Sequence, residues 1–284
     1  MRFTRSLIAS AMLLSYLSIG IGAAFADSLL LEGKIEHSDK LDPLDRYQVG
    51  TEFDESLLPT NTDCSGNWWR VPQWLAGKWH KKGKLHILEY TDLQRKEPIP
   101  SPKTVKVHYP DAEVLGHQTD RNGRVWTFVP LPCVGRTYSG PHMNVNIYHS
   151  FDLVEEKQNS MTVRLFLVTL MVSRETNKVV SICQRESLQT WTLVDDHHVS
   201  ILDSTKFFDK DGVPLATKQL LSYSHRCNSY CPVDFLDKRT HRPVSYPSMT
   251  ISPSMRSLSY VPLDLRDSFA DYLRDHNLTS LIPQ

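Results

Sequence analysis

The chain has 284 residues, with 32 basic and 32 acidic side chains, so its formal net charge is zero when histidine is neutral. This balance excludes the strongly basic surface that is typical of nucleic-acid-binding or anionic-membrane-binding proteins. The length is sufficient for one β-rich domain with extensions, and 40% of the residues are hydrophobic, which can supply a sizeable core.

Residues 1–26 have the pattern of a cleavable secretory signal peptide. Two arginines precede an apolar run over residues 7–21, and a small-x-small cleavage site follows at residues 24–26. The run is shorter than the about 20 residues that span a bilayer, which disfavours the alternative of a retained membrane anchor. We therefore expect an exported protein, periplasmic or extracellular, that begins at Asp27 and has no transmembrane segment. Without Arg2 and Arg5 it carries 30 basic and 32 acidic residues.

Residues 27–62 are rich in acidic side chains and poor in aromatic ones. Such a segment buries little apolar surface by itself. We expect an acidic flexible leader, or a strap that lies over the following domain.

The composition then changes abruptly, because four of the six tryptophans fall within residues 68–79. This cluster could be an exposed aromatic platform for flat ligands such as sugars, or a hydrophobic plug. Because large aromatic side chains bury most of their surface when a core can accept them, we favour the plug.

Apolar and β-branched runs alternate with turn sequences between residues 85 and 226, which predicts a mostly β, antiparallel domain over residues 63–226. Regular short spacing without a long helical pattern favours consecutive hairpins, and hence an up-and-down β-barrel. The predicted strands cover residues 85–91, 103–109, 112–119, 124–131, 143–153, 161–173, 178–194, 198–208 and 215–226.

Strict alternation identifies the side chains that face the predicted interior. Met143, Val145 and Ile147 alternate with polar residues, and Val105 and Val107 do the same. The longer apolar run that contains Leu165 is hydrophobic on both faces, so a further element must cover its outer side. If the barrel has a cavity, we expect its ligand-binding residues to be Val105, Val107, Met143, Val145, Ile147, His149 and Leu165.

The tail, residues 227–284, is rich in Cys, Pro and Ser and ends in a predicted helix. Leu265, Phe269, Tyr272 and Leu273 form one apolar stripe at helical spacing. We expect this C-terminal helix to pack on the barrel.

Five cysteines in an exported chain favour two disulfides and one free thiol, although the pattern does not fix their connectivity. Cys227 and Cys231 enclose a short loop and are the first expected pair. Cys64 with Cys133 is the second, and Cys183 is then the buried thiol. A metal site at His225, Cys227, Cys231 and His241 is the less favoured alternative, and we expect no metal.

The segment around Gly77 and Trp79 resembles the start of the first strand in lipocalin-like (calycin) β-barrels, where a short helical turn leads to Gly-x-Trp. The resemblance covers about residues 71–226. It implies that Trp79 plugs the closed end of the barrel and that Arg226, from the last predicted strand, stacks over its ring.

No Gly-x-Ser-x-Gly, Ser-x-x-Lys or phosphate-binding glycine-rich motif occurs in the mature sequence, so an enzyme has no positive support. No cofactor is expected; haem with His149 as axial ligand is a lesser option. We expect a binding protein for a small apolar or amphipathic ligand, by analogy with the resembled family. The alternative is a non-enzymatic envelope or surface interaction module with a filled barrel or sandwich, whose protein partner the sequence does not identify.

Overall fold

The computed structural model describes residues 36–59, 67–108, 112–237, 243 and 262–283, except for the side chains of Lys82, Val107 and His108. The chain divides into two units, Met1–Glu36 and His37–Gln284, and all elements below belong to the second. The predicted signal peptide lies outside the described residues, as does Cys64.

The described residues are mostly β, as the sequence predicts, and contain one α-helix, α1 (Leu265–Asp275), with 3₁₀ turns at Glu55–Leu57 and Thr279–Leu281. The strands are β1 (Asn67–Val71), β2 (Gly77–Asp92), β3 (Glu97–Pro98), β4 (Thr104–His108), β5 (Glu113–Leu115), β6 (Gln118–Thr119), β7 (Val125–Val129), β8 (Cys133–Ser139), β9 (His142–Glu156), β10 (Ser160–Ser173), β11 (Val179–Asp195), β12 (His198–Phe208), β13 (Pro214–Ser229), β14 (Phe235–Leu236) and β15 (Leu263–Asp264).

One large antiparallel sheet dominates the fold. Strands β8 to β13 are neighbours in space in the same order as in sequence, so each consecutive pair forms a hairpin. Strand β13 then pairs with β2, and β3, β4 and β5 share the other side of β2. The predicted meander is thus present from β9 to β13, and β8 extends it by a strand that the sequence did not predict.

The large sheet does not close into a barrel within the described residues, which differs from the prediction. Its two edges, β8 on one side and β3, β4 and β5 on the other, do not pair with each other. The reason lies in β7, which the sequence placed among the barrel strands. It leaves the large sheet and pairs with β1 and β6 in a separate three-stranded sheet.

The small sheet lies between the large sheet and helix α1. Successive side chains of its strands pack alternately against the large sheet and against the helix. Trp69 and Val71 of β1 pack toward the large sheet, whereas Trp68 packs against the helix. On β7, Val125 and Phe128 divide in the same way. The C-terminal helix therefore packs on the small sheet rather than on the large one, with Leu265, Phe269 and Leu273 buried.

Residues 37–58, here called the strap, cross the opposite face of the large sheet. Leu44 N donates to Lys210 O at 2.8 Å, and Leu41 N donates to Gly212 O at 3.1 Å. Gly212 has φ +77°, and a Cβ built there would lie 1.8 Å from Leu41 O. Only glycine therefore allows the strap to approach this turn so closely.

The strap covers the second half of β10. It is therefore the further element that the sequence required to cover the outer side of the apolar run around Leu165. Val168, Leu170 and Val172 of β10 pack on its buried aromatic residues, Tyr47 and Phe53. The first half of β10 instead buries its other face, with Met161, Val163 and Leu165 toward the small sheet. The strap, not the C-terminal helix, thus completes the core behind the long strands.

Candidate functional site

A cleft of about 270 Å³ lies between the strap and the large sheet. It is here called the strap cleft. Its walls are residues 41–44 of the strap, residues 166–168 of β10, His149 of β9, and Gln184 and Arg185 of β11. Leu44, Phe166 and Val168 make the lining largely apolar, and a few polar side chains interrupt it. Such a composition is typical of sites for small organic molecules.

His149 enters the strap cleft through an irregularity of the sheet. Phe166 pairs with Ser150 but Leu167 pairs with Tyr148, so His149 is the extra residue of a β-bulge on β9. A bulge redirects a side chain relative to the regular alternation of the strand. Burial, and then the charge of Arg46 on the strap, lower the pKa of His149 below its ordinary value. At neutral pH this histidine is therefore a neutral hydrogen-bonding group at the cleft.

Gln184 fixes the strap at the other side of the cleft. Its Nε2 donates to Asp42 O at 2.9 Å and to Asp209 O at 3.3 Å. One buried side chain of the sheet thus holds the strap and the turn after β12 together. Because Asp42 and Asp209 accept through backbone carbonyls, these two hydrogen bonds fix the main chain at this wall of the cleft.

A second polar cluster lies where the strap begins. Glu186 of β11 is fully buried, and its Oε2 accepts a hydrogen bond from Ser38 N at 2.6 Å. His37 Nδ1 lies 3.2 Å from the same oxygen, and His37 Nε2 lies 3.0 Å from Ser204 Oγ. Arg164 Nε is 3.1 Å from the other carboxylate oxygen. Sequence motifs gave no signal for this cluster.

The cluster favours an ionised carboxylate. Burial alone would raise the pKa of Glu186, but the hydrogen bonds from His37 and Ser38, with the charges of His37 and Arg164, outweigh it. The pKa of Glu186 is therefore below its ordinary value.

The seven predicted ligand-binding residues do not form one site. Val145 and Ile147 are fully buried against the strap side of the sheet, with Met143 beside them. Leu165 is buried on the opposite side, against the small sheet. Val105 is 37% exposed on β4, and the side chain of Val107 is outside the described residues. Among the described side chains of this set, only His149 lines the strap cleft.

A polar network lies beyond Leu165 on the face of the large sheet opposite Val145 and Ile147. Arg185 Nη2 donates to Asn146 Oδ1 and to Thr169 Oγ1, both at 2.7 Å. Asp203 accepts from Ser187 Oγ at 2.7 Å. Leu165 therefore shares its face with polar residues such as Asn146, and not with Val145 and Ile147 as the barrel prediction required.

Gly77, Trp79 and Arg226, the three residues of the lipocalin-like resemblance, lie together, although the closed barrel that Trp79 was expected to plug is not found among the described residues. Arg226 Cζ lies 4.5 Å from the centroid of the Trp79 ring, and Trp79 Nε1 donates to Leu75 O at 2.7 Å. Arg226 Nη1 donates to Ala76 O at 2.8 Å. Gly77 has φ +144°, and a Cβ there would lie 2.7 Å from the carbonyl oxygen of Asn228. The close approach of Asn228 thus explains the glycine at position 77, and the contacts of the buried indole ring explain the tryptophan at position 79.

The described cysteines are unbonded in the structure. Cys227 and Cys231 are both exposed, and β13 continues through Ser229. The chain is extended up to Ser229, and the two thiols are not bonded to each other. The expected disulfide between them is therefore absent here. The pairing of Cys64 with Cys133 involves a residue outside the described ones.

The alternative metal site lacks a described ligand set. Cys227 Sγ lies 3.7 Å from His225 Nε2, but His241 is not described. Among the described residues, no group of three His, Cys, Asp or Glu side chains could hold a metal ion. His149, the residue named for the haem option, lines the strap cleft.

Comparisons with protein family models, with curated proteins and with solved structures found no match to this chain. No helix among the described residues is long and apolar enough to cross a membrane.

Proposed function

We propose that this protein is an exported binding protein that holds a small apolar or amphipathic molecule in the strap cleft. The observation that carries the proposal is the cleft itself, about 270 Å³ between a strap and an ordered sheet. Its wall of Leu44, Phe166 and Val168 suits an apolar body. Neutral His149 and the nearby charge of Arg46 suit a polar or anionic end.

The contact of Arg226 with Trp79 supports a relationship to lipocalin-like barrels. In this proposal the large sheet is an opened relative of the up-and-down barrel, and the strap takes the place of the missing wall. The ligand would then lie under the strap rather than in a barrel interior.

The binding proposal predicts a specific effect of filling the cleft. Leu44→Trp, which places a larger side chain in the cleft, should weaken binding of 8-anilinonaphthalene-1-sulfonate at least tenfold. This probe combines an apolar ring system with a sulfonate and so matches both parts of the site. Fluorescence titration of the purified protein measures the dissociation constant directly.

Val49→Trp is the matched control, because Val49 lies on the same strap but is 57% exposed and outside the cleft lining. It should change the dissociation constant less than twofold. Equal affinity in wild type and both variants would place the probe elsewhere and refute the cleft as its site.

A non-enzymatic interaction module is the second candidate, and one observation favours it. Val145, Ile147 and Leu165 are packed in two filled cores instead of lining a cavity. Absence of probe binding, together with a lack of any small molecule in a solvent extract of protein from the native host, would support this candidate over the first.

Export is part of the same proposal and predicts a mature protein that starts at Asp27. The small-x-small site that ends at Ala26 is the reason. Intact-mass measurement of protein from the native host should show the loss of residues 1–26. A mass that retains them would contradict export and remove the reason to expect disulfides.

A further inference from the structure

We propose that Ser204, His37 and Glu186 form a Ser-His-Glu triad that hydrolyses small carboxylic esters by acyl transfer. This activity goes beyond ligand binding and does not depend on it. The supporting geometry is a continuous chain of contacts, 3.0 Å from Ser204 Oγ to His37 Nε2 and 3.2 Å from His37 Nδ1 to Glu186 Oε2.

The order of atoms in this chain is the one that nucleophilic catalysis requires. A carboxylate at Nδ1 holds the proton on that nitrogen, which leaves Nε2 as the base toward the hydroxyl. A single hydrogen bond, to Glu186 or to Ser204, would be enough for His37 to attach the strap to the sheet. His37 makes both, to two different strands of the sheet.

Glu186 is suited to the orienting role because it is fully buried yet remains ionised. Ser38 N and Oγ also donate to its oxygens, at 2.6 Å and 3.2 Å. These contacts fix the carboxylate, so the ring of His37 has one preferred orientation. The side chain of His37 is 14% exposed and Ser204 is 9% exposed, so a substrate would approach from the side of His37.

Polar donors lie beside the nucleophile. Gln219 of β13 pairs directly with Ser204 of β12, which places their side chains about 4.5–5.5 Å apart at Cβ on one face of the sheet. Lys206 follows two residues later on that face, and its Nζ donates to Ser38 O at 2.8 Å. The Gln219 amide is the assigned donor to the oxyanion, and the Lys206 charge supports it.

The triad also adjoins the strap cleft. Phe166, which lines the cleft, pairs directly with Glu186 across β10 and β11. An ester with a small apolar acyl group is therefore the substrate class that the surroundings suit.

The reaction balances with water as the only co-reactant. Ser204 Oγ attacks the acyl carbon while His37 Nε2 takes the hydroxyl proton, and that proton passes to the departing alcohol. Water then attacks the acyl-serine ester with His37 again as base, which releases the carboxylic acid and restores the Ser204 hydroxyl.

Two assays of the full mature chain test the triad. A fluorophosphonate probe should form a covalent adduct on Ser204, located by peptide mass spectrometry. Hydrolysis of p-nitrophenyl acetate should fall to background in Ser204→Ala and about 10³–10⁴-fold in Glu186→Gln, as expected when an orienting carboxylate is lost.

Ser200→Ala is the matched control, since Ser200 is a buried serine on the same strand and the same face, four residues earlier. It should retain both the adduct and the hydrolysis. Ser204→Ala removes one oxygen atom and tests the proposal even if Glu186→Gln does not fold. Absence of an adduct on Ser204, or less than a twofold loss of hydrolysis in Ser204→Ala, would overturn the triad while leaving the binding proposal untouched.

Discussion

Replacing Trp79 by alanine should lower the free energy of unfolding by about 3–5 kcal/mol, the range for truncation of a large buried aromatic side chain. Trp79 is 2% exposed in the core between the two sheets. Its indole hydrogen bond to Leu75 O and its contact with Arg226 would be lost with the ring. Equilibrium urea unfolding, followed by circular dichroism, measures this change.

Leu88→Ala is the control in the same strand, because Leu88 is 55% exposed. It should change the free energy of unfolding by no more than about 0.5 kcal/mol. A loss below about 1 kcal/mol in Trp79→Ala would mean that the ring does not plug this core.

Glu186→Gln should cost about 2–4 kcal/mol of unfolding free energy at pH 7. Removing one partner of a buried ion pair typically costs 3–5 kcal/mol, and Arg164, whose side chain is 31% exposed, recovers part of its hydration. The glutamine also replaces the acceptor of Ser38 N by a neutral one. Urea unfolding of both proteins at pH 7 gives the difference.

The same variant has a predicted pH dependence. The pKa of Glu186 is lowered in the folded protein, so its contribution is fully present above its unfolded value of about 4.5 and is lost as the pH falls through the folded pKa. The difference between wild type and Glu186→Gln should therefore shrink below about pH 4.5. Glu175→Gln, at an exposed turn residue, should show no difference at either pH. A difference that is constant from pH 7 to pH 3 would contradict an ionised Glu186.

Strands β9 to β13 of the large sheet could be predicted because local alternation determines them. Met143, Val145 and Ile147 lie in β9, and the predicted boundaries of β10 to β13 differ from the observed ones by a few residues at most. The sequence missed β1 and β8. The tryptophans of β1 were interpreted as an exposed platform or a plug, and not as part of a strand. The sequence also missed the separation of β7 from the main sheet, because strand pairing depends on distant partners and not on local pattern.

The candidate site was predictable only in part, for three physical reasons. His149 lies on the strap side of the sheet, as Val145 and Ile147 do, but it is the extra residue of a β-bulge, and a bulge leaves no clear signal in alternation. The strap was foreseen as one of two options, but its cleft depends on tertiary contacts. The cluster of His37, Glu186 and Ser204 joins residues 149 and 167 positions apart, which no local motif encodes.

A crystal structure of the protein grown with 8-anilinonaphthalene-1-sulfonate would show whether the strap cleft is the binding site. We expect the ring system to lie between Leu44 and Phe166, with the sulfonate toward His149 and Arg46. An empty strap cleft, with the probe bound at another surface or not bound at all, would contradict it.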